Sequence, residues 1–422
     1  MVTDCHGVIP VNLFPRINCS LLVPSNKGLY SIISSFQNLG ERIMFSFVQL
    51  YADYNGASAT EQGILASFRN ILSFGGQQAF GRLSDKKGRS IVLLFGFLLS
   101  TLSSIALTGV SSPLLIILVY ASYSLGFSAI QPSFSALIGD TYSREKQAQM
   151  LGQISSVGSL LGGLGFLIVG IASDLLVNPY PLLFIIAGIS FGFAALSVII
   201  LSSTGKAPSQ PIDQTAGTSL FEPLKVNYFR RYVLIDAIFG FAMSTAWPLF
   251  PKVTNALATT GQVTIMWAVT FLGFSVSAHL TPHLKKMFKS YRLSFYSSRF
   301  LLWLVPFSFA IATDWTHLLF ARIIAGLTFG FYTTLQKDYA LECARSSGQE
   351  EKKGWFLGTH AFFFGISTFI GSLLFGFIVD LLLTSTPFGY PEMFFISATF
   401  RFFLSFGYLK ILPPNGDGVL TS

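Results

Sequence analysis

The sequence predicts an all-α integral membrane protein of twelve transmembrane helices in two six-helix halves. Three observations predict it: an apolar, charge-poor composition, twelve apolar runs of spanning length, and an internal repeat. With 51% hydrophobic residues, 11% charged residues and a mean hydropathy of +0.60, the chain holds too few charges to coat a soluble surface. A span needs about 20 apolar residues. The first half offers Tyr30–Tyr51, Ala59–Phe80, Ile91–Val110, Leu114–Ile138, Met150–Ile171 and Leu182–Leu201. A polar stretch rich in Pro, Ser, Thr and Gly, Ser202–Pro223, separates these from Tyr232–Pro251, Val263–Leu280, Leu293–Ala312, Leu318–Tyr339, Trp355–Val379 and Met393–Ile411. The expected organisation is a tail at 1–29, a first half at 30–201, a linker at 202–227, a second half at 228–411 and a tail at 412–422.

Orientation follows from Lys and Arg, which are retained on the cytoplasmic side. With both termini inside, only Lys252 of the 27 bases faces out. Arg42, Arg69, Arg299, Arg322 and Arg401 fall in or near the ends of spans, and the rest lie in inner loops. The net charge of +8 is thus a topology signal, and no nucleic-acid motif accompanies it. The segment before Tyr30 contains Pro10, Pro15 and Pro24 and lacks a signal-peptide pattern, so it is expected to be a cytoplasmic extension. Cys5, Cys19 and Cys343 would all face the reducing side, and no disulfide is expected.

The first span carries Glu41 and Arg42 near the bilayer midplane, where an unpaired charge costs at least ~2.5 kcal/mol. Arg69 lies at a similar depth in the second span, so Glu41 and Arg69 are expected to meet. Gln37, Asn38 and Gln49 share the face of Glu41; Gln62, Arg69, Ser73 and Gln77 form a similar stripe in the second span. Both stripes read as walls of a wet cavity. A buried carboxylate beside arginine is either a fixed structural brace or a group that exchanges a proton or touches substrate.

Between the second and third spans lies Gly81-Arg82-Leu83-Ser84-Asp85-Lys86-Lys87-Gly88-Arg89-Ser90. Glycines permit a tight turn, Asp85 can cap a neighbouring helix N-terminus, and Lys86 and Arg89 stay in the anionic headgroup layer. The order glycine, three variable residues, aspartate, base, variable residue, glycine, base resembles the signature loop of the major facilitator superfamily of secondary transporters, departing only at Ser90. The resemblance implies two homologous six-helix halves around a central cavity, with the substrate site near the midplane. It also implies a gating role for Gly81, Asp85, Lys86, Gly88 and Arg89, with Asp85 reaching the start of the eleventh helix near Gly354 and Trp355.

In the fourth span Tyr123, Phe127 and Gln131 share one face. Where many proton-linked members of that family place an arginine four residues before a glycine, this chain has Ser122; the matching base is Arg322 in the tenth span. The fifth span has Gly158, Gly162, Gly163 and Gly165 but not the proline of the drug-exporter signature, and glycines at this spacing chiefly permit close helix packing. Glu145-Lys146, Leu151-Gly152, Gly165, Gly170 and Asp174 recur 206 positions later as Glu351-Lys352, Leu357-Gly358, Gly371, Gly376 and Asp380.

In the seventh span Asp236, Gly240, Met243 and Trp247 share a face; Asp236 can reach the headgroup region or pair with Arg230 or Arg231. His360 in the eleventh span is of a type that titrates near neutral pH, and equally can be a plain hydrogen-bonding group. Asn38, Gln77, Tyr123, Gln131, Trp247 and His360 are therefore the cavity candidates. A cavity rich in aromatics and sparse in charge favours an amphipathic or lipophilic organic substrate.

No phosphate loop, metal cluster or nucleophile–base pair is present, so neither enzymatic activity, a cofactor nor ATP drive is expected. The expected function is proton-coupled transport of small organic or drug-like solutes by a monomer in the cell membrane, in the direction of export. Asn38-x-x-Glu41-Arg42 resembles the Glu-x-x-Glu-Arg motif of peptide transporters, with asparagine in the first acidic position. The alternative is therefore proton-coupled uptake of nutrients such as peptides.

Overall fold

The computed structural model describes residues 26–142, 144–203, 221–349, 353–385, 389–412 and 414, and these contain helices and no strand. Read in order, the helices form twelve segments, each overlapping one of the twelve apolar runs. Six make the first half: α1 (Asn26–Tyr54), a broken second segment of α2 (Ala59–Asn70) and α3 (Gly76–Lys87), α4 (Arg89–Leu107), α5 (Pro113–Thr141), α6 (Arg144–Ser173) and α7 (Tyr180–Ser203). The second half contains α8 (Asn227–Ser244) with the short α9 (Phe250–Leu257), then α10 (Thr260–Phe288), and a broken pair of α11 (Tyr291–Phe300) and α12 (Leu304–Ala310). It ends with α13 (Trp315–Ser346), α14 (Lys353–Ser385) and α15 (Tyr390–Ser405). Seven of these helices are long and apolar enough to cross a membrane on their own.

The interruptions have local causes. A π-helical turn at Ile71–Gly75 separates α2 from α3 where Gly75 and Gly76 adjoin. Pro248 lacks the N–H that would continue α8, so the chain turns between Ser244 and Phe250 and Trp247 N–H bonds Ser244 at 3.1 Å instead of Met243. In the ninth segment Pro306 cannot donate to the Leu302 carbonyl, and a single 3-10 turn, Leu301–Trp303, precedes α12.

Within the first half α1 packs on α6 and α7, and α4 on α5 and α7; in the second, α8 packs on α14, and α10 on α13. The halves meet where α2 lies against α14 and α6 against α10. Leu98, Leu102, Ile168, Leu196 and Phe403 point outward and exposed, as a lipid-facing surface requires. Cys343 is buried as a free thiol. Arg89 starts α4 after Gly88, whose φ of +99° is a conformation that L side chains rarely adopt. Gly88 therefore makes the turn, whereas Gly81 lies inside α3 and makes none.

The end of the bundle remote from Asn26 is closed by bonds between the halves. Lys252 of α9 binds Asp53 of α1 at 2.9 Å and donates to the Ala57 carbonyl at 2.7 Å. Asn255 donates to Leu50 and to Asp53, both at 2.9 Å.

Candidate functional site

Between the halves lies a cavity of about 440 Å³, within the range of small-molecule sites. The first half contributes Phe45, Gln49, Arg69 and Asn70; the rest of the wall comes from the second, including Trp247, Trp267, Phe271, Arg299, Arg322, Tyr332, Gln336, His360 and Arg401. Behind this wall Asp236 of α8 is fully buried and accepts four bonds. Arg299 of α11 donates to Oδ1 at 3.1 Å, and the Tyr408 hydroxyl donates to the same oxygen. His360 Nε2 lies 2.7 Å from Oδ2, and the Tyr332 hydroxyl donates there at 2.5 Å. His360 Nδ1 faces the Gln336 amide at 2.7 Å, and its ring stacks on Tyr232. Both oxygens of this carboxyl group are thus fully engaged, and the bond from Arg299 is charge-assisted. The guanidinium of Arg299 also lies over the Tyr332 ring at 3.1 Å. Five helical segments thus converge on one carboxyl group. The arrangement places a carboxylate and an imidazole in direct contact, with His360, Tyr332 and Arg299 forming the boundary with the cavity.

Arg401 of α15 has a different task. It donates from Nη2 to the Met243 carbonyl at 2.6 Å and from Nη1 to the Leu302 carbonyl at 3.3 Å. Met243 lost its helical donor where Trp247 N–H turns to Ser244, and Leu302 lost its own at Pro306 and keeps only the Leu304 N–H, so Arg401 supplies donors to carbonyls at both interruptions.

Trp247 and His360 line the cavity, as does Arg69. Asp236 sits immediately behind it, but its partners are Arg299 and His360, and neither Arg230 nor Arg231 bonds to it. Arg230 instead donates to Asn227 at 3.1 Å, because α8 carries it out of the bundle while Asp236, nearly two turns on, faces inward. The expected Glu41–Arg69 ion pair does not form. Glu41 interacts with neighbouring Arg42 and with the Gln37 amide, and the Arg42 guanidinium crosses to α10, 4.3 Å over Phe271. Arg69 lies 4.5 Å over the Phe45 ring and 5.9 Å from Trp247, bonds Asn70 at 3.4 Å, and also reaches Tyr120. Glu41 and Arg69 thus each take nearer neighbours than one another, and those of Arg69 are neutral.

Asn38 donates back to the Ser34 carbonyl of its own helix at 2.7 Å. Tyr123 is buried against Tyr120 and Phe191, packing within the first half, and Gln77 and Gln131 are partly exposed on α3 and α5. None of these four is on the cavity wall. In the inter-helix turn, Arg89 bonds Asp140 at 3.1 Å and Ser84 at 2.9 Å, and Lys86 and Lys87 are exposed. The Asp85 side chain and its expected contact with α14 lie outside the described residues.

Arg299, Arg322, Arg401, Tyr332 and Gln336 are wall residues that were not among the sequence candidates. Their signal is an imbalance: five arginines in or near spans against two carboxylates singled out there, Glu41 and Asp236. Intramembrane charges turn to the bundle interior, so a chain sparse in charge overall still has a cationic cavity. Among the described residues no group of three or more His, Cys, Asp or Glu is placed to hold a metal ion.

A family model described as Major Facilitator Superfamily matches residues 30–348. No curated protein matches the chain. Among solved structures, the chain is similar to the nucleoside transporter NupG, with a TM-score of 0.73 and 13% identity, over 92% of this chain and 99% of that one. It is also similar to a bacterial homolog to the human lysosomal transporter Spinster in an inward-facing and occupied conformation, with a TM-score of 0.67 and 12% identity over 90% and 95% of the two chains. A POT family transporter in complex with 5-aminolevulinic acid gives the same TM-score, identity and coverage.

Proposed function

The chain belongs to the Major Facilitator Superfamily of transporters, and on that premise we propose that it is a proton-coupled secondary transporter of small organic solutes working by alternating access. The observation that carries the coupling is the Asp236–His360 contact at 2.7 Å, one layer behind the cavity wall. An imidazole nitrogen and a carboxylate oxygen in direct contact form a donor–acceptor pair through which a proton can be taken up or passed on. Its partner Arg299 faces the cavity, so a substrate that draws on Arg299 changes the charge opposite Asp236. That is a physical route from substrate binding to proton binding.

The proposed setting is the cell membrane, with both termini and the linker cytoplasmic and the protein acting as a monomer. The end closed by Lys252 and Asp53 is then extracellular, and the cavity serves the cytoplasmic side. Export of organic or drug-like solutes in exchange for protons is the first reading of direction. Uptake with protons is the second, and the cationic wall favours it: an anion entering against an inside-negative potential needs an accompanying positive charge.

Reconstituted proteoliposomes with an imposed pH gradient and a panel of organic solutes test both. Solute movement opposite to the proton supports exchange, movement with it supports co-transport, and accumulation indifferent to the gradient rejects proton coupling.

A further inference from the structure

The charges around the cavity do not cancel. Glu41 faces Arg42, and Asp236 faces Arg299. Arg69, Arg322 and Arg401 remain, and among the described residues the wall holds no Asp or Glu. Arg401 spends its Nη donors on two carbonyls but brings its charge to the site. The guanidinium of Arg322 of α13 has no hydrogen bond or ion pair among the described residues; its one neighbour of note is the Trp267 ring, 4.1 Å from its central carbon. Arg69 likewise lies against Phe45 and near Trp247, and the partners of its amino groups, Asn70 and Tyr120, carry no counter-charge.

This geometry has a chemical meaning. A guanidinium lying over an aromatic ring can still make in-plane bonds to an acid group through its N–H edge, and at Arg322 no side chain among the described residues takes that edge. Arg69 and Arg322 come from opposite halves of the protein; Arg322 sits over Trp267, and Arg69 sits over Phe45 with Trp247 5.9 Å away, so each charge has an apolar plate beside it. Isolated cations in a membrane interior are expensive, so an arginine kept without a counter-charge on a cavity wall implies a counter-charge that arrives from outside.

We propose that the substrate is an aromatic organic anion, whose carboxylate or phosphate group is held by Arg322 and Arg69 and whose ring lies against Trp267 and Trp247. This deepens the transport reading above, on which it rests, and replaces the expectation of a lipophilic solute for a charge-poor cavity. An acid group bridging Arg69 and Arg322 also ties the two halves together, so that binding favours the occluded protein.

The test uses the purified full-length protein in neutral detergent, with thermal stabilisation and tryptophan fluorescence as readouts. The probes share one ring system: 2-naphthoate, 2-naphthyl phosphate, the uncharged 2-naphthamide and the cationic 2-naphthylmethylammonium. The two acids should bind at least tenfold more tightly than the amide, with no binding by the cation, and the better acid identifies the group carried. Arg322→Gln should weaken acid binding at least tenfold, leave amide binding unchanged, and keep or raise the melting temperature of the empty protein, since it removes a like charge. Arg69→Gln should weaken acid binding similarly. Failure of both acids to bind, equal binding of acid and amide, or undiminished acid binding by both variants would overturn the proposal. Binding is read without transport, so acid binding by a protein whose transport ignores the pH gradient would reject the coupling and keep the anion site.

Discussion

Asp174 and Asp380, 206 positions apart, each cross between the two halves to hold the start of a helix in the other. Asp174, after the end of α6, accepts from the Thr259 hydroxyl at 2.8 Å and the Gly261 amide at 2.6 Å, at the N-terminus of α10. Asp380 of α14 accepts from the Ala59 amide at 3.0 Å and the Thr60 amide at 2.7 Å, at the N-terminus of α2. The receiving helices also match, since each opens with a capping box, Ser58 with Glu61 and Thr259 with Gln262. The glycines four residues earlier belong to the same pattern. A Cβ on Gly376 would meet the Ala59 carbonyl, and one on Gly170 would meet Thr264, so both let α14 and α6 close onto the capped helices. Sequence repeat and structural latch are the same feature.

Each latch is a carboxylate on free N–H groups at a positive helix end, worth about 1 kcal/mol. Removing the charge from both, in an Asp174→Asn, Asp380→Asn double variant, should destabilise the closed state of this end by about 2 kcal/mol, roughly a thirtyfold fall in its population relative to the open state. Thiol labelling of Thr270→Cys on the cavity wall, from the latch side and in a cysteine-free background, should rise accordingly. Labelling equal to that of the unaltered latch would mean that Lys252 and Asp53 hold this end alone.

Arg401 gives a prediction about stability. Arg401→Gln removes the Nη donors from the Met243 and Leu302 carbonyls, leaving Leu302 only the Leu304 N–H, and a buried unsatisfied group costs about 1–3 kcal/mol. The melting temperature should fall clearly. Pro306→Ala restores an N–H for Leu302, so the same substitution in that background should cost about 1 kcal/mol less. Additive effects in this double-mutant cycle would show that Arg401 does not act through Leu302.

How much of this is legible in the sequence depends on the range of the interaction. The twelve segments and the repeat are local or periodic, and hydropathy and a fixed offset reveal them. The Arg401 clamp is half legible: Pro248 and Pro306 in apolar runs announce orphaned carbonyls, but nothing local says that a donor 95 positions beyond Pro306 meets them. The Asp236 cluster is less so, because α8, α11, α13, α14 and the turn after α15 each contribute one group. The wall of α13 is hidden for another reason. Its apolar residues surround the helix, and no polar stripe marks the face that carries Arg322 and Tyr332.

Glu41→Gln separates a brace from a proton carrier. Glu41 is partly exposed and its charged neighbour is Arg42, so the loss of stability should be below the ~3–5 kcal/mol of a fully buried pair. Transport driven by a pH gradient should persist in the folded protein. A stable variant that exchanges solute at equal pH yet no longer concentrates it would transfer the coupling role to Glu41.

The proposed topology is checked in the linker, which lies outside the described residues. Ser209→Cys, in a cysteine-free background, should resist an impermeant thiol reagent added to intact cells and react once the membrane is opened. Strong labelling of sealed cells would reverse the orientation and, with it, the side that the latch closes.

The decisive variants concern Asp236 and His360, and the two must be treated differently. Asp236→Asn strips a fully buried Arg299 of its counter-charge, a change of about 3–5 kcal/mol, so failure to accumulate in the membrane would say nothing about protons. Asp236→Asn combined with Arg299→Gln removes both charges together and should recover much of the folded protein. His360→Gln is the cleaner probe, because glutamine keeps a donor toward Asp236 and a partner for Gln336 without a titratable group. If the Asp236–His360 contact takes up the coupled proton, His360→Gln should still exchange solute at equal pH, where no net proton moves. It should lose at least tenfold in accumulation driven by a pH gradient. A His360→Gln protein that concentrates solute as the unaltered protein does would leave the imidazole as a hydrogen-bonding support for Asp236 and remove it from the proton path.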